Sequence, residues 1–157
     1  MLDATMSPQS RGNRHVNRAI VRVSVDKRLP QARMLARYVE GWAEANPAKI
    51  LDATDAGYSF HDPLVGCFSR RTLPEYFERL QARFARAGAV SRQDLFFHLR
   101  GPMDRLSRHD ELEFWREAPR IGLTGIAQIR ASQRGVLAES VAYDLNLASD
   151  VLSGSLP

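Results

Sequence analysis

From Met34 onward the apolar positions recur at helical spacing: Met34, Leu35, Tyr38, Val39, Trp42 and Ala45 form one stripe. The stripe predicts an amphipathic helix. Pro30 fits its first turn, where a missing N–H costs nothing, and Asn46-Pro47 ends it. Pro47 can open a short second helix carrying Ile50 and Leu51, and Gly57 releases the chain into a strand, Tyr58 to Asp62. Residues 63–69 read as a turn or loop. Thr72-Leu73-Pro74-Glu75 has the form of a capping box, in which hydroxyl and carboxylate each satisfy an orphan backbone donor. The third helix that follows buries Leu73, Phe77, Leu80 and Phe84 and stops at Gly88.

After Gly88 the rhythm changes from helical to alternating. Residues 94–100, 111–118, 124–133 and 136–147 are each expected to be strands, with a tight hairpin at Arg134-Gly135. Three helices followed by antiparallel strands give an α+β class. The helices are expected to pack on one face of a strongly curved antiparallel sheet, leaving a cone-shaped pocket. The patterned domain covers 30–150, between an N-terminal arm (1–29) and a short tail (151–157).

Charge changes this picture in one place. The net +4 comes from the arm, where Arg11, Arg14, Arg18, Arg22, Lys27 and Arg28 face only Asp3 and Asp26. The rest of the chain is balanced. A nucleic-acid-binding domain spreads basic residues over a folded face, so no nucleic-acid partner is expected. The arm reads as a flexible tail, an added edge strand or a contact for anionic partners. Cys67 is the single cysteine and can make no intrachain disulfide, which fits a reducing compartment. With no apolar run of membrane length, no membrane partner is expected, and the expected location is cytoplasmic.

The order of elements and three local motifs resemble the nuclear transport factor 2-like superfamily, which includes SnoaL-like cyclases and ketosteroid isomerases. The motifs are Ala36-Arg37-Tyr38, His61-Asp62-Pro63-Leu64-Val65-Gly66, and the closing hairpin with Ile129-Arg130, Gly135-Val136-Leu137 and Ala142-Tyr143. Likeness to the isomerases implies that Tyr38 donates a hydrogen bond to a substrate oxygen and that Asp62 is the proton-abstracting base. Those enzymes carry a protonated aspartic acid as a second oxyanion donor, and the matching position here is Ala127. Losing one such donor costs roughly 3–4 kcal/mol of transition-state stabilisation.

The residues themselves suit this chemistry. Removing a proton beside a carbonyl needs a base at the C–H and a donor at the enolate oxygen. A strand-end carboxylate backed by Pro63 can be the first, and a tyrosine O–H in an apolar cavity the second. Asp144, beyond the small residues Ser140 and Ala142, is expected to supply the acid that Ala127 lacks if it points inward. Trp42, Tyr58, His61, Phe77, His98, Trp115 and Ala127 are the candidate pocket lining, and each has a plain structural alternative. His61 and Asp62 alternate, so one faces in and one out. Phe114 and Trp115 alternate likewise, and an exposed aromatic on a broad sheet suggests a homodimer through the outer face. Scattered histidines and the lone cysteine make no zinc spacing, and no Gly-rich phosphate loop opens a helix, so neither a metal nor another cofactor is expected. The leading expectation is a cofactor-independent isomerase or cyclase acting on a small hydrophobic carbonyl compound. The alternatives are a non-catalytic binding pocket and a dimeric interaction module.

Overall fold

A computed structural model of the chain describes residues 31–85, 90–103 and 111–144. Helix α1 (Ala32–Ala43) buries Leu35, Tyr38, Val39 and Trp42 along the expected stripe. Helix α2 (Pro47–Asp52) follows at once, capped by the Asn46 side chain accepting from the Lys49 N–H at 3.2 Å. The two helices approach closely because residue 41 is glycine: a β-carbon there would stand 2.7 Å from the backbone nitrogen of Ile50.

Strand β1 (Thr54–Asp62) begins before Gly57. It turns back through β2 (Gly66–Ser69), where a loop was expected. Gly66, at φ +110°, opens this return, a conformation glycine adopts without steric penalty. The expected capping box at Thr72 is not made. Thr72 has near-helical dihedrals rather than the extended ones of an N-cap, and its hydroxyl accepts from the Ser69 N–H at 2.9 Å. Leu73–Glu75 form a 3-10 turn that runs into α3 (Tyr76–Phe84). A capping box appears instead at Ser91 and Asp94, which make a 3-10 turn of Arg92–Asp94. The strand expected at 94–100 is therefore reduced to β3 (His98–Arg100).

Strands β4 (Glu111–Ala118), β5 (Leu123–Ser132) and β6 (Gly135–Tyr143) form an antiparallel meander. The sheet order is β2-β1-β6-β5-β4-β3. The sheet is mostly antiparallel, with one correction to the expectation: β1 pairs with β6 in parallel. The intervening helix and meander bring the chain back to β1 in its own direction, as a crossover connection must. Irregular register between Thr54 and Ser59, and between Arg130 and Ala131, marks bulges flanking β6. The expected arm at 1–29, the helix stop at Gly88, residues 145–147 of the last strand and the tail at 151–157 lie outside the described residues.

Alternation fixes which side chains meet the helices. Phe114, Arg116 and Ala118 on β4, Ala127 and Ile129 on β5, and Glu139, Val141 and Tyr143 on β6 are all buried. Their neighbours Trp115, Gln128, Ser140 and Ala142 lie on the opposite, open face. The helices and the inner sheet face close on an aromatic core around Trp42, whose ring centroid lies 5.1 Å from that of Phe60 and 5.4 Å from that of Tyr76.

Candidate functional site

Within this aromatic core the structure builds a continuous polar chain. At the end of β1 the Asp62 carboxylate is fully buried, while His61 points outward. Its Oδ2 accepts from the Tyr76 hydroxyl at 2.7 Å and the Tyr143 hydroxyl at 2.9 Å, and its Oδ1 accepts from the Leu64 N–H at 2.8 Å. The last bond follows from Pro63: the turn after Asp62 brings the next free N–H back onto the carboxylate. Three elements therefore converge on one acid.

Arg116 continues the chain. Its Nη2 donates to the Tyr76 hydroxyl at 3.3 Å, and its Nη1 donates to Glu139 Oε1 at 2.8 Å. The guanidinium carbon lies 4.1 Å from the Trp42 ring centroid and 3.9 Å from that of Phe97. Those two rings stand 87° apart, so the cation sits in an aromatic corner. On the far side of Glu139 the Tyr38 hydroxyl donates a short hydrogen bond to Oε2. Since that proton is committed, the Tyr58 hydroxyl donates to Tyr38 across 2.7 Å. The donors run from Tyr58 through Tyr38 to Glu139, and from Arg116 through Tyr76 to Asp62.

Burial sets the protonation of this chain. It pushes the Tyr38, Tyr58, Tyr76 and Tyr143 hydroxyls up from their ordinary range, keeping all four as neutral donors. Burial also raises the Glu139 carboxyl, against the pull of the Arg116 charge and the Tyr38 hydrogen bond. For Arg116 itself burial disfavours the charge, yet Glu139 and its other partners outweigh it and hold the guanidinium charged. Among the described residues of this core, two buried donors have no hydrogen-bond acceptor, Arg116 Nε and Trp42 Nε1, although the indole bears on Glu139 electrostatically.

Tyr38, Trp42, Tyr58, Asp62, Phe77 and Ala127 all come to the interior. Tyr38 and Asp62 do not meet directly: Tyr38 serves Glu139, and tyrosines 76 and 143 serve Asp62. Asp144 is a correction, because alternation along β6 turns it outward with Ser140 and Ala142 and leaves it exposed. His61, half-buried His98 and Trp115 likewise leave the interior lining, for the same reason. Trp115 is 41% exposed while Phe114 is buried. His61 lines a different feature, a groove of about 280 Å³ on the open sheet face with Ser59, Cys67, Gln128, Arg130 and Ser140.

Sequence reasoning passed over Tyr76, Arg116 and Glu139, and gave Tyr143 a place in the closing hairpin but no role in the site. A signal was present. Arg116 stands two positions from Phe114 and from Ala118, and Glu139 two from Val141, so opposite charges occupy inward registers on strands separated only by β5. Among the described residues no group of histidine, cysteine and acidic side chains could hold a metal ion, and no helix is long and apolar enough to cross a membrane.

No protein-family model matches the sequence, and no curated protein matches it significantly. Solved structures do resemble it. TerC, co-crystallised with polyporic acid, aligns with a TM-score of 0.56 at 12% identity, over 78% of this chain and 98% of that one. An NTF2-like protein from Cytophaga hutchinsonii aligns with a TM-score of 0.51 at 6% identity, over 80% and 99%. A steroid delta-isomerase from Pseudomonas aeruginosa gives 0.50 at 14% identity, over 82% and 93%. At these identities the likeness is one of fold.

Proposed function

The chain has a nuclear transport factor 2-like fold, and from that premise we propose that it is a cofactor-independent isomerase or cyclase. It transfers a proton on a small hydrophobic carbonyl compound held between the helices and the inner sheet face. The observation that carries this reading is Asp62, a buried carboxylate met by two tyrosine hydroxyls inside an aromatic core. The steroid delta-isomerase neighbour, and the neighbour crystallised with polyporic acid, support the same class of ligand.

The hydrogen bonds suggest how the parts cooperate. A carbonyl oxygen arriving in the core competes for the Tyr76 or Tyr143 hydroxyl. As it takes that donor, Asp62 gives up one hydrogen bond and frees an oxygen for the substrate C–H, and the enolate oxygen meets a tyrosine already placed. Arg116 behind Tyr76 strengthens that donation, since its charge polarises the hydroxyl it contacts. Tyr38 and Glu139 hold Arg116 in position.

A second reading, a non-catalytic module, is favoured by one observation. Asp62, Tyr38, Trp42 and Arg116 have no exposed surface, so a ligand must part packed side chains to reach them. The open sheet face supports this reading too. Trp115 is exposed there beside Ile126, next to the groove, and we propose that face as a homodimer surface.

The test is a thermal-shift screen of ring ketones, phenols and polyketide-like carbonyls on the wild type and on Asp62→Asn, followed by turnover assays on the hits. Ligands stabilising both proteins, with turnover in the wild type alone, would support the enzyme. Binding with no turnover in either would favour the module.

A further inference from the structure

The hydrogen bonds of the core use one edge of Arg116 more fully than the other. Its Nη1 is taken by Glu139 at 2.8 Å. On the opposite edge Nη2 reaches Tyr76 only at 3.3 Å, the Tyr143 hydroxyl also bears on the guanidinium, and Nε has no hydrogen-bond partner. A buried donor left without an acceptor costs about 1–3 kcal/mol, so this edge favours any acceptor that can reach it. The rings of Trp42 and Phe97 hold the guanidinium and fix the direction of approach.

The Nε–Nη2 edge of an arginine matches two neighbouring oxygens that share negative charge. We infer that this edge of Arg116 receives an ionised hydroxy-carbonyl of the substrate, and that Glu139 takes up a proton as the anion arrives. The inference rests on the reading of the core as a carbonyl site and narrows the substrate to acidic enols and phenols beside a carbonyl. Charge balance requires the second half. Among the described residues Arg116 is the one cation of the cluster, and it already faces Glu139, with Asp62 beyond Tyr76. A further anion at the guanidinium weakens its hold on the Glu139 carboxylate, and protonation keeps the net charge of the core constant.

The groups facing Glu139 are consistent with it as the acceptor. Tyr38 from α1, Tyr58 and Asp62 from β1 and Arg116 from β4 surround it, and burial already raises its carboxyl. The tyrosines stay neutral donors, so none of them can take the proton.

The experiment is isothermal titration of the protein with 2-hydroxy-1,4-naphthoquinone, ionised at neutral pH, and with its neutral O-methyl ether. Buffers of different ionisation enthalpy report the protons exchanged. The ionised probe should bind at least about tenfold more tightly than the ether, the scale of one charge-assisted hydrogen bond. Its binding should draw a proton from the buffer, and Glu139→Gln should bind it with no uptake. Arg116→Lys should lose the preference, and Glu139→Gln carries the test alone if that variant does not fold. Equal affinity for ether and anion, or binding of the anion with no proton uptake by the wild type, overturns the inference and leaves the carbonyl site standing. A water at Arg116 Nε in a crystal of the probe complex overturns it as well. Failure of both probes, and of the ketones screened above, would remove the site itself.

Discussion

Arg116 and Glu139 form an ion pair, 2.8 Å from Nη1 to Oε1, in which neither side chain has any exposed surface. Isolated, such a pair gives weak support to stability, because desolvating both charges offsets their attraction. Here hydrogen bonds from Tyr38 and to Tyr76 extend it, and aromatic rings flank the cation. The pair is thus the centre of a network, and its loss should be felt as one.

Removing one partner strands the other. Arg116→Met should destabilise the fold by roughly 3–5 kcal/mol, because Glu139 is left as an uncompensated buried acid. The double variant Arg116→Met with Glu139→Gln should fall short of the summed single losses by at least about 1 kcal/mol. Urea denaturation of the four proteins measures the difference, and additive losses would mean that the two residues are not coupled.

Glu139 should also leave a mark on the pH dependence of stability. Burial raises its carboxyl above the ordinary value near 4.5, so between that value and its raised one the folded chain binds more protons than the unfolded chain. The stability it contributes is complete below about pH 4.5 and is lost as pH rises through the raised value. Glu139→Gln should flatten this part of the profile. Tm measured against pH for the two proteins decides it, and identical slopes would refute the assignment.

Asp62 and Asp144 separate catalysis from fold. On any hydroxy-carbonyl or ketone that the wild type turns over, Asp62→Asn should lower kcat by about 10²–10⁴, the usual worth of a general base. Asp144→Asn, on the exposed side of β6, should leave kcat within twofold. Circular dichroism must show both variants folded. A large effect at 144 with none at 62 would reverse the roles.

Trp115 tests the outer face. Trp115→Lys should shift a wild-type dimer towards monomer in analytical ultracentrifugation while Tm changes little, since the side chain is already 41% exposed. A monomeric wild type would end the dimer proposal directly.

Gly41→Ala sets two effects against each other. Alanine gains roughly 1 kcal/mol of helix propensity over glycine. The new β-carbon, however, would meet the Ile50 backbone nitrogen at 2.7 Å, and a backbone atom cannot rotate aside. Overpacking of this kind costs about 1–3 kcal/mol, so a net fall in Tm is expected. A rise would show that α1 and α2 can separate at little cost.

Much of the fold was legible because the sequence repeats its periods cleanly. The stripe from Leu35 to Trp42 and the alternation from Glu111 to Tyr143 each specify an element and its buried face. The parallel pairing of β1 with β6 was not legible, since nothing local to either strand names its neighbour. The site was half legible. Tyr38 lies on the inward stripe of its helix, but the choice between His61 and Asp62 stayed open in the sequence, and which hydroxyl serves which carboxylate depends on contacts across 81 and 101 positions of sequence. Asp144 shows the cost of a one-residue ambiguity: in a strand it decides between core and solvent.

The parallel seam between β1 and β6 has a bearing on how the protein is made. Asp62 leaves the ribosome long before Tyr143, its partner 81 positions later, and β1 finds its inner neighbour only when the last strand arrives. The meander of β4, β5 and β6 joins nearby residues and can form early, whereas docking β1 closes a loop of most of the described chain. Until then Asp62 and Glu139 have water for solvent. The polar core thus depends on a pairing that spans most of the described chain, and any variant that slows the docking of β1 should first appear as poor yield of folded protein.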